Sequence, residues 1–148
     1  MNNQTILLLK ISSVLWVIWG LVHMFAGGIV ISQDAAGAVT AIADAVEPNL
    51  VAGDYHPAVG AVLNQHGYNL LWIGAFTVVG GVMIWRQSVV FIFMTAVVGW
   101  VTDVGYFIFM DLGGFVHFVP GTVMTIVSSA AVILSFCAYF LGMRRSDL

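Results

Sequence analysis

Four apolar runs, at residues 11–31, 67–85, 89–110 and 118–143, decide what this chain can fold into. At 1.5 Å rise per residue, each is long enough as a helix to cross a hydrocarbon core of about 30 Å. The first and last contain no Asp, Glu, Lys or Arg, the second carries only Asn69 as a strongly polar residue, and the third carries Asp103. With 61% hydrophobic and 7% charged residues, the chain holds far fewer charges than the quarter or so of a soluble domain. No water-soluble core can hide that much apolar surface, so the solvent is lipid. Inside lipid every backbone group must be paired within its own segment, which favours helices, and no strand-like alternation points to a barrel. The expected fold is an all-α integral membrane protein, a four-transmembrane-helix bundle in one domain, with helices at about 11–31, 57–85, 88–110 and 118–143.

The few cations fix an expected orientation. Lys10 precedes the first run, Arg86 lies in the short turn between the second and third, and Arg144 and Arg145 follow the fourth. With four crossings all of them fall on one side, which the positive-inside rule makes the cytoplasm. Both termini are then expected in the cytoplasm of an inner (plasma) membrane protein, and residues 32–56 form a periplasmic loop. The first run follows Lys10 as a signal peptide would, but it exceeds a typical apolar signal region and lacks a small-residue cleavage pattern, so a retained helix is expected.

The loop carries Asp34, Asp44, Glu47 and Asp54 without a cation. Its small-residue stretch suits a short interfacial helix ended by Pro48, because the residue before proline disfavours the helical region. A second start signal follows: Asp54 near a cap and Pro57 in the first turn begin the second helix about ten residues before its membrane part at 67–85. The glycine doublets Gly27–Gly28, Gly80–Gly81 and Gly113–Gly114 read as close-packing or turn positions, not as a phosphate loop. Cys137, the single cysteine, lies in an apolar run and reads as a buried structural thiol. No basic stripe offers a nucleic-acid surface.

The polar residues carry the functional signal. All four histidines fall in the outer half of this topology: His23 in helix one, His56 in the loop, His66 at the mouth of helix two and His117 at the mouth of helix four. Asp103 lies in helix three. Counted from the outer ends, His23 is about 12 Å deep and Asp103 about 10 Å deep. A carboxylate inside a membrane costs about 2.5–3.5 kcal/mol on insertion scales, so Asp103 must be protonated, paired or wetted. No Lys or Arg stands at its depth.

Three imidazoles and a carboxylate from four helices suit a divalent metal, and His23, His66, Asp103 and His117 are the expected ligands, with zinc or iron favoured over copper. Asn69, Asn64, Tyr106 and His56 are candidates to orient them by hydrogen bonds. An open coordination position would make the site that of a metal-dependent membrane oxidoreductase or hydrolase acting on a lipid-soluble substrate. The chain has no HExxH, ExxH or HxH motif, and His66 lies nearer the interface than His23, so the set rests on coincident depth.

Two other classes fit the same residues. Two histidines from different helices can ligate haem b in an electron-transfer subunit. Alternatively, Asp103 and His23 form a proton relay in a proton-coupled carrier or accessory subunit. Four helices make a thin pathway, so a carrier calls for a homo-oligomer.

Overall fold

Glycine spacing sets the way the helices meet. In the computed structural model, which describes residues 3–143, Gly20 packs on Gly74 and Gly27 on Gly67, while the Ser13 hydroxyl donates to the Gly81 carbonyl at 2.6 Å. Residues 67, 74 and 81 of one helix thus face 27, 20 and 13 of another, seven apart each time. That repeat places one small residue every two turns along an antiparallel seam, so the backbones approach closely. A Cβ on Gly20 would meet the Gly74 carbonyl oxygen at 2.5 Å, and one on Gly74 would meet the Gly20 carbonyl oxygen at the same distance. The seam therefore requires glycine at these positions.

Four helices are long and apolar enough to cross a membrane: Asn3–Ser32, Pro57–Trp85, Val89–Asp111 and Phe118–Gly142. No strand occurs among the described residues, and the chain is an all-α four-helix membrane bundle. Its outside is apolar, with Phe25 and Phe109 each 73% exposed, as suits helices solvated by lipid. Cys137 belongs to this outside: it is exposed, contrary to expectation. An apolar run in a thin bundle turns much of its surface to lipid, so apolar neighbours in sequence do not imply burial in protein.

The first span extends about two turns before residue 11, carrying Lys10 within the helix. Lys10 Nζ lies 5.1 Å from the ring of Trp85, which puts it at the same end of the bundle as Arg86. Arg144 and Arg145 lie outside the described residues. At that end the second span closes with Gln87 in the left-handed conformation, φ 66°. There Ser88 N donates to Met83 O at 3.0 Å and Gln87 N to Ile84 O at 2.8 Å, the pair of hydrogen bonds that ends helices at a left-handed residue.

The opposite end carries the loop. Asp34 caps the short helix Ala35–Ile42 by accepting from Gly37 N at 2.8 Å. That helix stops at Ile42, well before Pro48, and Pro48 opens the next turn, Pro48–Val51. The second span starts at Pro57, with His56, not Asp54, as its cap: His56 Nδ1 accepts from Ala58 N at 3.2 Å.

The third span is irregular on both sides of Asp103. Wider turns with i→i+5 bonds occupy Ala96–Trp100 and Phe107–Asp111, leaving one ordinary helical stretch, Val101–Tyr106, between them. Such turns are inserted where a side chain must be re-aimed and recur at functional sites. The fourth span also departs from regular helix: Val119 is extended, with φ −117° and ψ 123°.

Candidate functional site

Asp103 is buried, 2% exposed, and faces the first span. The Trp19 indole Nε1 donates to its Oδ2 at 2.6 Å, and Ser128 of the fourth span, whose hydroxyl donates to Thr125 O at 3.1 Å, is a neighbour. His23 follows Trp19 by four residues, one helical turn, so both lie on one face. Their rings stack with centroids 3.6 Å apart and planes 20° from parallel. A carbonyl can only accept, so the 2.8 Å contact between His23 Nδ1 and Trp19 O places the proton on Nδ1. Nε2 then faces Asp103 Oδ1 across 3.7 Å. That gap is too long for a hydrogen bond. Trp19 therefore organises both partners, fixing one carboxylate oxygen with its indole and the imidazole tautomer with its backbone.

The pair opens into a cavity of ≈ 110 Å³. Its polar lining is His23, Asp103, His66, Tyr106 and Asp44; Val22, Val30, Leu70 and Met124 are among its apolar walls. The glycine register accounts for the position of His66. With Gly27 against Gly67, His66 stands beside Gly28, five residues or about 7.5 Å outward from His23. His66 is exposed and forms the outer part of the cavity.

The other expected ligand stands elsewhere. His117 is exposed, does not line the cavity, and engages through its backbone: its N–H donates to Asp44 Oδ1 at 2.7 Å. With Ala45 N donating to Phe115 O at 3.1 Å, this ties residues 44–45 to the link before the fourth span, across the cavity mouth. Of the candidate orienting residues, Tyr106 lines the cavity. Asn69 instead accepts from Trp72 Nε1 at 3.2 Å, Asn64 is exposed, and His56 caps the second span. Among the described residues no group of three or more His, Cys, Asp or Glu side chains could hold a metal ion.

Two participants escaped the sequence reading. Trp19 is not among the expected site residues, although its spacing from His23 is a visible i, i+4 signal. Asp44 read as one loop acid among several, and nothing local marks it out. A second polar contact closes the loop end, where Thr122 Oγ1 donates to Asp111 Oδ1; the other Asp111 oxygen is buried without a partner among the described residues.

The chemistry available is thus a carboxylate and an imidazole at fixed orientation, with a second imidazole and a phenol on the same cavity wall. No family model, curated protein or solved structure matches this chain.

Proposed function

We propose that the protein is a membrane-embedded metal-binding protein whose ion sits between His23 Nε2 and Asp103 Oδ1. The observation that carries this reading is the pinned imidazole. Metal-binding histidines almost always donate their other ring N–H to a carbonyl or carboxylate, and His23 Nδ1 has Trp19 O at 2.8 Å. A zinc-like ion with bonds of about 2.0–2.1 Å to each atom spans a 3.7 Å gap at an angle of about 130°, wider than tetrahedral, so the two side chains close slightly on the ion. His66 is the third ligand in this reading, reaching inward from the same cavity, and water fills what remains. His117 has no part in it.

Metal analysis of the full chain, purified in detergent and loaded with Zn(II) or Fe(II), tests the proposal. One ion per chain is expected, with affinity lowered at least tenfold by His23→Ala or Asp103→Asn and less by His66→Ala. Absence of stoichiometric metal after loading overturns it.

The lack of a third converged ligand favours a second reading, in which a proton takes the place of the ion between His23 and Asp103. The protein is then a proton-coupled carrier, and Asp103→Asn abolishes pH-driven flux in liposomes. Unchanged flux rejects that alternative. Haem b draws no comparable support, because His23 is the one imidazole at the cavity held by a hydrogen bond.

The cavity faces the outer side of the inner membrane in this proposal, with both termini cytoplasmic. Lys10 and Arg86 lie at the end opposite the loop, as the positive-inside rule requires. Impermeant thiol labelling of cysteines placed at Asp54 and at Gln87 checks it: only the former should react from outside.

A further inference from the structure

A second concavity lies at the other end of the bundle, in the crease between the first two spans. Its volume is ≈ 560 Å³, and its lining is Ser13, Val14, Val17, Ile18, Val82, Trp85 and Arg86. The crease follows from the glycine seam, since Ser13 and Gly81 are too small to fill the space their close backbones leave. On the first span Lys10, Val14, Val17 and Ile18 recur at helical spacing. On the second, Val82, Trp85 and Arg86 do the same. Both stripes run from apolar residues inside the membrane to a cation at its edge.

We infer that this groove is a binding site for an anionic phospholipid, its phosphate held between Lys10 and Arg86 and one acyl chain laid along Val14, Ile18 and Val82. Charge complementarity identifies the occupant. Neither Lys10 nor Arg86 makes an ion pair with a carboxylate among the described residues. Asp34, Asp44, Glu47 and Asp54 belong to the loop end, and Asp103 and Asp111 to the loop half of the third span. Lys10 Nζ already sits 5.1 Å from the Trp85 ring, so the two cations and an interfacial indole stand together where a headgroup meets its chains. Val14 at 48% and Val82 at 44% exposed leave the apolar floor open. A zwitterionic lipid matches the floor but gives the cations no net charge to neutralise.

Trp85 supplies the readout. The full chain is reconstituted in vesicles of phosphatidylcholine with 20% phosphatidylglycerol, one or the other carrying bromine on its acyl chains. The Trp85 signal is the difference between wild type and Trp85→Phe. Brominated phosphatidylglycerol should be preferred over phosphatidylcholine by about five-fold for each cation, the ratio corresponding to ~1 kcal/mol per basic residue near anionic lipid. Arg86→Gln and Lys10→Gln should each reduce that enrichment, and the double variant should remove it. Both variants place an uncharged residue at an exposed position, and circular dichroism with thermal unfolding checks that they fold. Quenching by the two lipids in proportion to their mole fractions overturns the inference, as does enrichment that survives the double substitution.

Discussion

Two of the first span's seams are built in opposite ways. Against the second span it presents Ser13, Gly20 and Gly27, and the contact is backbone on backbone. Against the third it presents Trp16 and Trp19, two of the largest buried side chains in the protein, to Gly99 and Asp103. The glycine seam joins two regular helices at a fixed seven-residue register. The tryptophan seam meets a helix twice widened by i→i+5 turns. Regularity and ionisable chemistry are thus segregated: one seam is a close-packed scaffold, the other accommodates a buried carboxylate by distorting its helix.

The sharpest way to break this comparison is a single methyl group. Gly74→Ala places a Cβ against the Gly20 carbonyl and the Met24 backbone nitrogen, neither of which can rotate aside. We expect a loss of about 3 kcal/mol, the upper end of overpacking, read as thermal unfolding in detergent. Gly105→Ala, in the third span, meets nothing within 4 Å and should leave stability unchanged or raise it by up to about 1 kcal/mol. Equal losses at the two positions would abolish the distinction between the seams.

These differences also explain what is legible in the sequence alone. The four spans and the early start at Pro57 follow from apolar length and proline placement, which are local. Gly27 and Gly81 were legible as packing positions from their doublets, but Gly20, Gly67 and Gly74 were not. The register of 67, 74 and 81 against 27, 20 and 13 needed the partner helix. The common depth of Asp103 and His23 was legible, but not which face of the third span Asp103 occupies. Each i→i+5 turn adds a residue to the helix and rotates everything beyond it, so the ordinary 3.6 period misplaces side chains across Ala96–Trp100. Asp44 meeting His117 spans 73 residues of sequence, and no spacing rule reaches that far.

The tryptophan seam has its own smaller test. Trp19→Phe keeps an aromatic ring on His23 but removes the donor to Asp103 Oδ2. Losing a hydrogen bond to a charged group costs about 1.5–3 kcal/mol, so unfolding should shift by less than for Gly74→Ala. A double-mutant cycle with Asp103→Leu separates this bond from lost ring packing. Coupling near zero would make Trp19 mere filling. On the metal-binding proposal, affinity should fall together with stability because the indole orients the Asp103 carboxylate, whereas the His23 tautomer, set by the backbone carbonyl of residue 19, is unchanged.

The smallest expected effect bears on what holds the glycine seam. Ser12 and Ser13 are neighbours that serve different contacts: Ser12 Oγ donates to Ala131 O of the fourth span at 2.7 Å, and Ser13 Oγ to Gly81 O at 2.6 Å. Interhelical hydrogen bonds in a membrane average about 0.6 kcal/mol. Ser13→Ala keeps the Cβ, so packing is untouched and the loss should stay near that value. Its carbonyl partner is not left orphaned, because Gly81 O is also available to its own helix. If Ser13→Ala instead cost as much as Gly74→Ala, hydrogen bonding and not backbone proximity would be the source of the seam's rigidity. Ser12→Ala, outside that seam, provides the reference, and an equal small loss at both serines supports contact between backbones as what locks the first two spans together.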